Sequence, residues 1–465
     1  MSAETLTLDC IIHLFSYLEP PDLLRAAQVN KTWNEAAETS SLWRNMCLRR
    51  WAFCNISVIP GMQTWKKYYL HRSNLEHKKI SGRPSVDYTC KAMRGHTGTI
   101  TGMAYLSENE HTFATGNVKS VVCTTSSDGT VRAWNVQEGT QIWSSPQQEN
   151  GLQNIATFPS DKLVATIDCH GIIKLWHGET GEELATFSVS SSSCSVVAYT
   201  INSKPFLTVG TGGGKLYTLV AANLSQISST QLFQNCGINS LLCSPDGLWI
   251  VARPTDNALP PKVVYTHSAT NSVDDELLSS PLPIRGQCLD TCWLPAEPAR
   301  VAVLHDEERN FHIVSLDIHI EKKSKYKMSI TARQVADFTL PAQLRIGETI
   351  MKGFGKQTIL LSTGPELKLY TLSGTELMAF KDHHNSITSI WVDPFHVVTS
   401  SMDLSLRVYS WKNDNKSSLL NGRYHLLGGS HRWSNGFRSV ACDDVSIVGV
   451  VAGNGDILRA YSFNL

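Results

Sequence analysis

A small all-α segment followed by an all-β propeller of seven or eight blades, eight favoured, is predicted for this 465-residue chain by three observations. Apolar residues recur at helical spacing over roughly the first eighty positions. From about residue 86 that period gives way to short β-rich runs broken by Gly, Asn, Asp and Ser. Two of these runs close on Trp134 and Trp176, which lie 42 residues apart (176 minus 134), the repeat length of a propeller blade.

The helical part reads in order. Cys10, Ile11, Leu14, Phe15 and Leu18 share one face, and Pro20-Pro21 ends that helix and pre-sets the next turn. Asp22 favours the start of a second helix carrying Leu23, Leu24, Ala26, Ala27 and Val29. Asn30 breaks it before Trp33, Ala36 and Ala37, and Leu42, Trp43 and Met46 form a further turn. So many large apolar groups exceed the interior of so small a bundle, which leaves part of the surface for a partner or for packing on the rest of the chain. Residues 1–46 are assigned to this domain and 47–85 to a helical linker. In and beside the linker Trp51, Trp65, Tyr68 and Tyr69 mix with Arg49, Arg50, Lys66, Lys67 and Arg72. Such interleaving can bind single-stranded nucleic acid, but an amphipathic connecting helix with a wet basic face is the expected reading.

Residues 86–465 read as the propeller. Its clearest unit opens at Gly95-His96, reaches Ser126-Ser127-Asp128-Gly129 and closes on Thr130 to Asn135, and a second ends on Gly171 to Trp176. Ser401 to Tyr409, preceded by His383, is the best later copy, and Ser244-Pro245-Asp246-Gly247 matches a hairpin turn. Leu219, Tyr265, Ile313, Tyr370, Tyr409 and Tyr461 are candidates for the strand-ending position of Trp134 and Trp176. All together give eight blades, and merging the weak copies around Tyr265 and Ile313 would leave seven. The last strand ends at Tyr461, and Ser462 to Leu465 are too few for an outer strand. Val86 to Met93 is therefore expected to supply it and close the ring.

The bulk properties exclude several classes. Lys plus Arg and Asp plus Glu each number 41, so no net charge draws the chain to nucleic acid or membrane, and neither is an expected partner. The acidic start, Met1 to Asp9, and the absence of a long apolar run predict a soluble intracellular protein. Twelve cysteines without a Cys-x-x-Cys pair indicate reduced thiols, and the sequons at Asn55, Asn223 and Asn415 then carry no glycan. His96, Ser126 and Asp128, and again His383, Ser401 and Asp403, offer the residue types of a hydrolase triad, but their repetition argues for structure and no Gly-x-Ser-x-Gly elbow frames either serine. Gly210 to Lys215 lacks the first glycine and the Ser/Thr of a phosphate loop and is read as a hairpin turn. No metal site, cofactor or catalytic residue is expected. The run Lys322 to Lys327 is read as a solvated loop, with a nuclear address as the alternative.

Leu6 to Asn34, closed by Leu42-Trp43-Arg44, resembles an F-box. The resemblance implies binding to the Skp adaptor, and through it to a cullin scaffold, by Leu6, Ile11, Leu14, Leu18, Pro21, Leu23 and Leu24, with Val29, Trp33 and Trp43 holding the bundle together. Thr7 departs from the proline usual after the first leucine, and a weakened adaptor contact is the expected consequence. The repeats are similar to WD repeats, which implies a structural relay: Asp128 to His96 to Ser126 to Trp134, and Asp403 to His383 to Ser401 to Tyr409. The whole chain resembles F-box/WD-repeat proteins, and the tracts Trp134 to Pro146 and Trp391 to Pro394 look close to the F-box/WD-repeat-containing protein 12 group. That implies a non-catalytic, cytoplasmic or nuclear substrate receptor of a Skp–cullin–F-box ubiquitin ligase, holding an unidentified target on its propeller. The alternative is an interaction scaffold that engages no cullin. Receptors of this family that read phosphorylated targets carry arginines at the channel mouth, whereas here Thr101, Asn239 and Thr388 stand there and only Arg438 fits the pattern as a target-binding candidate.

Overall fold

The computed structural model describes residues 6–50, 64–84, 86–107, 120–189, 191–192, 194–271, 277–324, 327–341, 349–414, 417–428 and 435–464. Trp51, Asn55, Lys325, Tyr326 and Asn415, singled out above, lie outside them. The chain divides into two compact units, one built on the helices up to Tyr88 together with Phe463 and Asn464, the other on the strands from Thr89 to Ser462. Among the described residues no helix is long and apolar enough to cross a membrane.

In the first unit, α1 (Leu8–Phe15), α2 (Pro20–Ala26), α3 (Lys31–Ala37), α4 (Ser40–Arg50) and α5 (Trp65–Ser81) follow the sequence signals closely. Both prolines occupy the first turn of α2, where a missing N–H costs nothing. Asn30 is the N-cap of α3, its side-chain oxygen accepting from the Trp33 N–H at 2.8 Å. Trp43 is fully buried and its indole donates to the Ala37 carbonyl at 2.7 Å, while Phe15 and Trp33 meet edge to face with centroids 5.4 Å apart. Two expectations fail. Val29, placed in the core, is 60% exposed, because α2 stops at Ala26 and the chain turns outward. Arg72, placed on a wet basic face, is buried and donates to the Tyr68 hydroxyl at 2.9 Å. α5 also buries Glu76, which pairs with Arg50 at 2.7 Å.

The second unit consists of eight four-stranded sheets, hence eight blades. Their inner strands are Ile100–Tyr105, Leu152–Phe158, Cys194–Ile201, Ile238–Cys243, Gln287–Leu294, Thr349–Phe354, Ile387–Val392 and Phe437–Cys442. In blades 1 to 7 each later strand lies antiparallel beside its predecessor, and Leu219, Tyr265, Ile313, Tyr370 and Tyr409 fall on the third strands of blades 3 to 7. Blade 8 is built differently. Its third strand, Ile457–Phe463, contains Tyr461 and is followed in the sheet by Tyr88–Met93, the first described strand in chain order. Met93, Leu458 and Ala460 bury together with Ile100, Val122 and Trp134 of blade 1. The Asp456 carboxylate accepts the Ile100 N–H at 2.9 Å, and Tyr105 and Ser446 join hydroxyls at 2.9 Å.

Ring closure by the N-terminal strand makes a stability difference the expected outcome of truncation. A chain starting at Gly82 should melt at a higher temperature than one starting at Gly95, which loses the whole outer strand and with it a buried methionine worth about 2–5 kcal/mol. Equal melting temperatures would exclude the closure.

Candidate adaptor face and propeller mouth

α1 and its flanks leave several apolar side chains uncovered. Ile11 and Phe15 pack inward, whereas Leu6 and Leu14 are more than half exposed and Tyr17 is 76% exposed. Of the seven residues assigned to adaptor contact, Leu6, Leu14 and Pro21 are exposed, Leu18 and Leu24 are half-buried, and Ile11 and Leu23 lie inside the bundle. Leu8, at the start of α1, and Tyr17, just beyond its end, are exposed as well and were not singled out from sequence. Thr7 caps α1, its hydroxyl accepting from the Cys10 N–H, and its φ of −64° is the value a proline ring would impose. The backbone at Thr7 is therefore one that a proline could also adopt.

In blade 1 the turn Asp128 accepts from His96 Nδ1 at 3.0 Å, and His96 Nε2 lies 2.9 Å from a hydroxyl that also accepts from Trp134 Nε1 at 2.9 Å. That hydroxyl belongs to Thr124, not Ser126. Residues 124 and 126 share one face of the strand Val121–Ser126 because strand side chains alternate. Register puts Thr124 beneath the ring and leaves Ser126 at the turn, where its hydroxyl accepts the Asp128 N–H at 3.2 Å. An indole N–H only donates and a threonine has one proton to give, so the order runs from Trp134 to Thr124 to His96 to Asp128. Blade 7 repeats its first three members: Asp403 meets His383 at 3.0 Å and His383 meets Thr399 at 2.8 Å, with Tyr409 at the tryptophan's position on the third strand. Ser401 there donates to the Asn385 carbonyl at 2.8 Å. Blade 2 keeps Trp176 on Thr166 at 2.9 Å, with Asn150 on Asp168 at 3.0 Å where the histidine would be.

Electrostatics agree with a neutral histidine. Burial pushes the His96 pKa down. Burial alone would raise Asp128, but the Thr130 hydroxyl and the N–H groups of Thr97 and Thr130 outweigh it and hold the carboxylate at about 2. Asp403 is lowered in the same way: its burial is outweighed by bonds from His383, Ser405 and the His384 N–H.

At the end of the sheets where these turns lie, six inner strands share one irregularity. Their register shifts at the second residue, or in blade 5 the third, so that Thr101, Gln153, Asn239, Leu289, Thr388 and Arg438 are unpaired bulge residues, while blades 3 and 6 run without one. The sequence pattern of a polar residue after Ile100, Ile238, Ile387 and Phe437 marked four of them. Arg438 is not free: its Nε lies 3.6 Å from Asp456, a carboxylate with 1% of its side chain exposed. The Gly210 to Lys215 run is the hairpin turn of blade 3, where Gly214 takes a φ of 80° and the Thr211 hydroxyl accepts the Lys215 N–H at 3.1 Å.

The F-box-like family matches residues 8–49, and the WD domain, G-beta repeat family matches residues 88–135. F-box/WD repeat-containing protein 12 of Homo sapiens is 33% identical over 459 residues, spanning 97% of each chain. F-box/WD repeat-containing protein 15 of Mus musculus is 28% identical over 98% of each. The crystal structure of the computationally designed Ika8 protein superposes with a TM-score of 0.57 at 15% identity, covering 80% of this chain and 98% of that one, a likeness of fold alone.

Two measurements check the relay. Thr124→Val strands two buried ring nitrogens and should destabilise the propeller by about 1–3 kcal/mol in urea titration, whereas Ser126→Ala should cost less. Because the folded Asp128 pKa lies below its ordinary 3.8, its contribution is complete above that value and is lost as the pH falls towards about 2. The acid-induced loss of stability across that window should shrink in Asp128→Asn.

Proposed function

The chain belongs to the F-box/WD-repeat proteins, generally substrate receptors of Skp–cullin–F-box ligases, and on that premise we propose that it is the substrate-recognition subunit of such an E3 ubiquitin ligase. The observation that carries this reading is the exposure of Leu6, Leu14 and Tyr17 at α1 and its two flanks, while Ile11, Phe15, Leu23 and Trp43 fill the interior of the bundle. An adaptor would cover these side chains, since large exposed apolar groups on a small domain are stabilised by burial. The propeller holds the target, and the chain performs no chemistry itself. Its contribution is proximity: a target lysine held near a ubiquitin-charged enzyme on other subunits reacts at a raised effective concentration. Such a receptor works in the cytoplasm or nucleus and requires no cofactor.

Tagged chain purified from cells should bring adaptor and cullin with it, as read by mass spectrometry. Replacing Leu14 and Leu18 together with Ala removes two contacts worth roughly 1.5–3 kcal/mol each and should abolish that co-purification while the propeller melts as before. Unchanged capture in the double variant would overturn the adaptor assignment, and absence of cullin from the unaltered chain would favour the scaffold.

A further inference from the structure

The ring of bulges gives the target-holding role a chemistry. A bulged residue leaves the strand ladder and its side chain is re-aimed, so six blades present one such side chain each at the same level of the ring. Two of the six are committed to the ring itself. The Thr101 hydroxyl donates to the Leu152 carbonyl of the next blade at 2.8 Å, and the Thr388 hydroxyl to the Phe437 carbonyl at 2.7 Å. Arg438, 46% exposed, has its Nε 3.6 Å from Asp456, a buried carboxylate that also accepts the N–H groups of Ile100 and Gly453 and offsets the arginine's charge. The remaining readers are the exposed amides of Gln153 and Asn239 and the half-buried Leu289. No described residue hydrogen-bonds either amide. Met402, 38% exposed, adds an apolar group from the blade 7 turn at this end of the sheets.

Among the described residues carboxylates accompany every arginine placed at this end: Arg285, 87% exposed and two residues before the inner strand Gln287–Leu294, lies 3.9 Å from Glu307, as Arg438 lies by Asp456. Ile100 and Ile387, the residues before two of the bulges, pair with Ser126 and Ser401, which places the turn carboxylates Asp128 and Asp403 beside the same level of the ring as Asp456. Both turn carboxylates are partnered by histidines, and His96 is kept neutral by burial. A phosphate dianion binds where several guanidiniums converge, and meets repulsion beside carboxylates. We propose that the mouth reads an uncharged, unphosphorylated peptide segment through the amides of Gln153 and Asn239, and that phosphorylation of that segment releases it. This rests on the receptor reading above and adds to it the class of target.

The test uses the full chain on immobilised short synthetic peptides, each made plain and with phosphoserine or phosphothreonine. Selected peptides should be uncharged and should bind about tenfold or more weakly when phosphorylated. Gln153→Ala combined with Asn239→Ala should weaken binding about tenfold or more, since two amide contacts are lost at exposed sites. Arg438→Ala should change it less than about threefold. A phosphopeptide preference that Arg438→Ala abolishes overturns the inference, as does unaltered binding in the double amide variant or the selection of no peptide at all. Adaptor capture scored on the same preparation separates the two claims, because peptide selection without adaptor would leave this inference standing and remove the ligase role.

Discussion

A β-sheet has two edges, and a ring of sheets is stable only where the last sheet closes on the first. Here that constraint is met by one borrowed strand. Tyr88–Met93 lies beside Ile457–Phe463, Met93 is buried with Leu458 and Ala460, and Asp456 reaches across to the Ile100 N–H of blade 1. The chain just beyond is also fastened: the Asn464 N–H donates to the Asp87 carbonyl at 2.8 Å, its amide to the Val86 carbonyl at 2.8 Å, and Lys78 of α5 to the Asn464 carbonyl at 2.6 Å. Each end of the propeller is thus held by the other.

Similar bonds from side chain to backbone join the blades around the ring. Ser195 of blade 3 accepts the Leu241 N–H of blade 4 at 3.0 Å, and Asp290 of blade 5 accepts both Arg253 of blade 4 and the Met351 N–H of blade 6 at 3.0 and 2.8 Å. Ser195 and Asp290 do this from within the paired ladder, whereas Thr101 and Thr388 reach the next blade as bulge residues, because a residue outside the ladder can turn towards it. Burial raises the Asp290 pKa, against the N–H of Met351 and the charge of Arg253. The same irregularity therefore both links neighbouring blades and furnishes the mouth.

Much of this was legible in the sequence, and the failures have physical causes. The caps at Asn30 and the prolines of α2 act through local backbone chemistry, which sequence alone specifies. Eight blades could be counted, but the copies at Tyr265 and Ile313 looked weak. Blade 4 has a third strand of only four residues, Lys262–Tyr265, that runs into the short helix Thr266–Thr270, while the third strand of blade 5 extends over fifteen, Asn310–Ser324. Both break the regular interval that the Trp134 to Trp176 spacing established. The choice of Ser126 over Thr124 failed because alternation gives both the same face and only pairing register separates them. Gln153 and Leu289 were not marked as mouth residues, since a bulge is a property of two strands together and neither strand declares it alone.

The borrowed strand also fixes an order of events during synthesis. Met93 leaves the ribosome early, whereas its sheet partner ends at Phe463, and at ordinary translation speed the interval is on the order of tens of seconds. Throughout it Tyr88–Met93 has no sheet to join and Ile100–Tyr105 lacks the blade 8 carboxylate that fixes its first amide. The first β-segment made is the last to find its place, so nascent chains depend on protection of that edge, and ribosomes stalled before residue 457 carry propellers that cannot close.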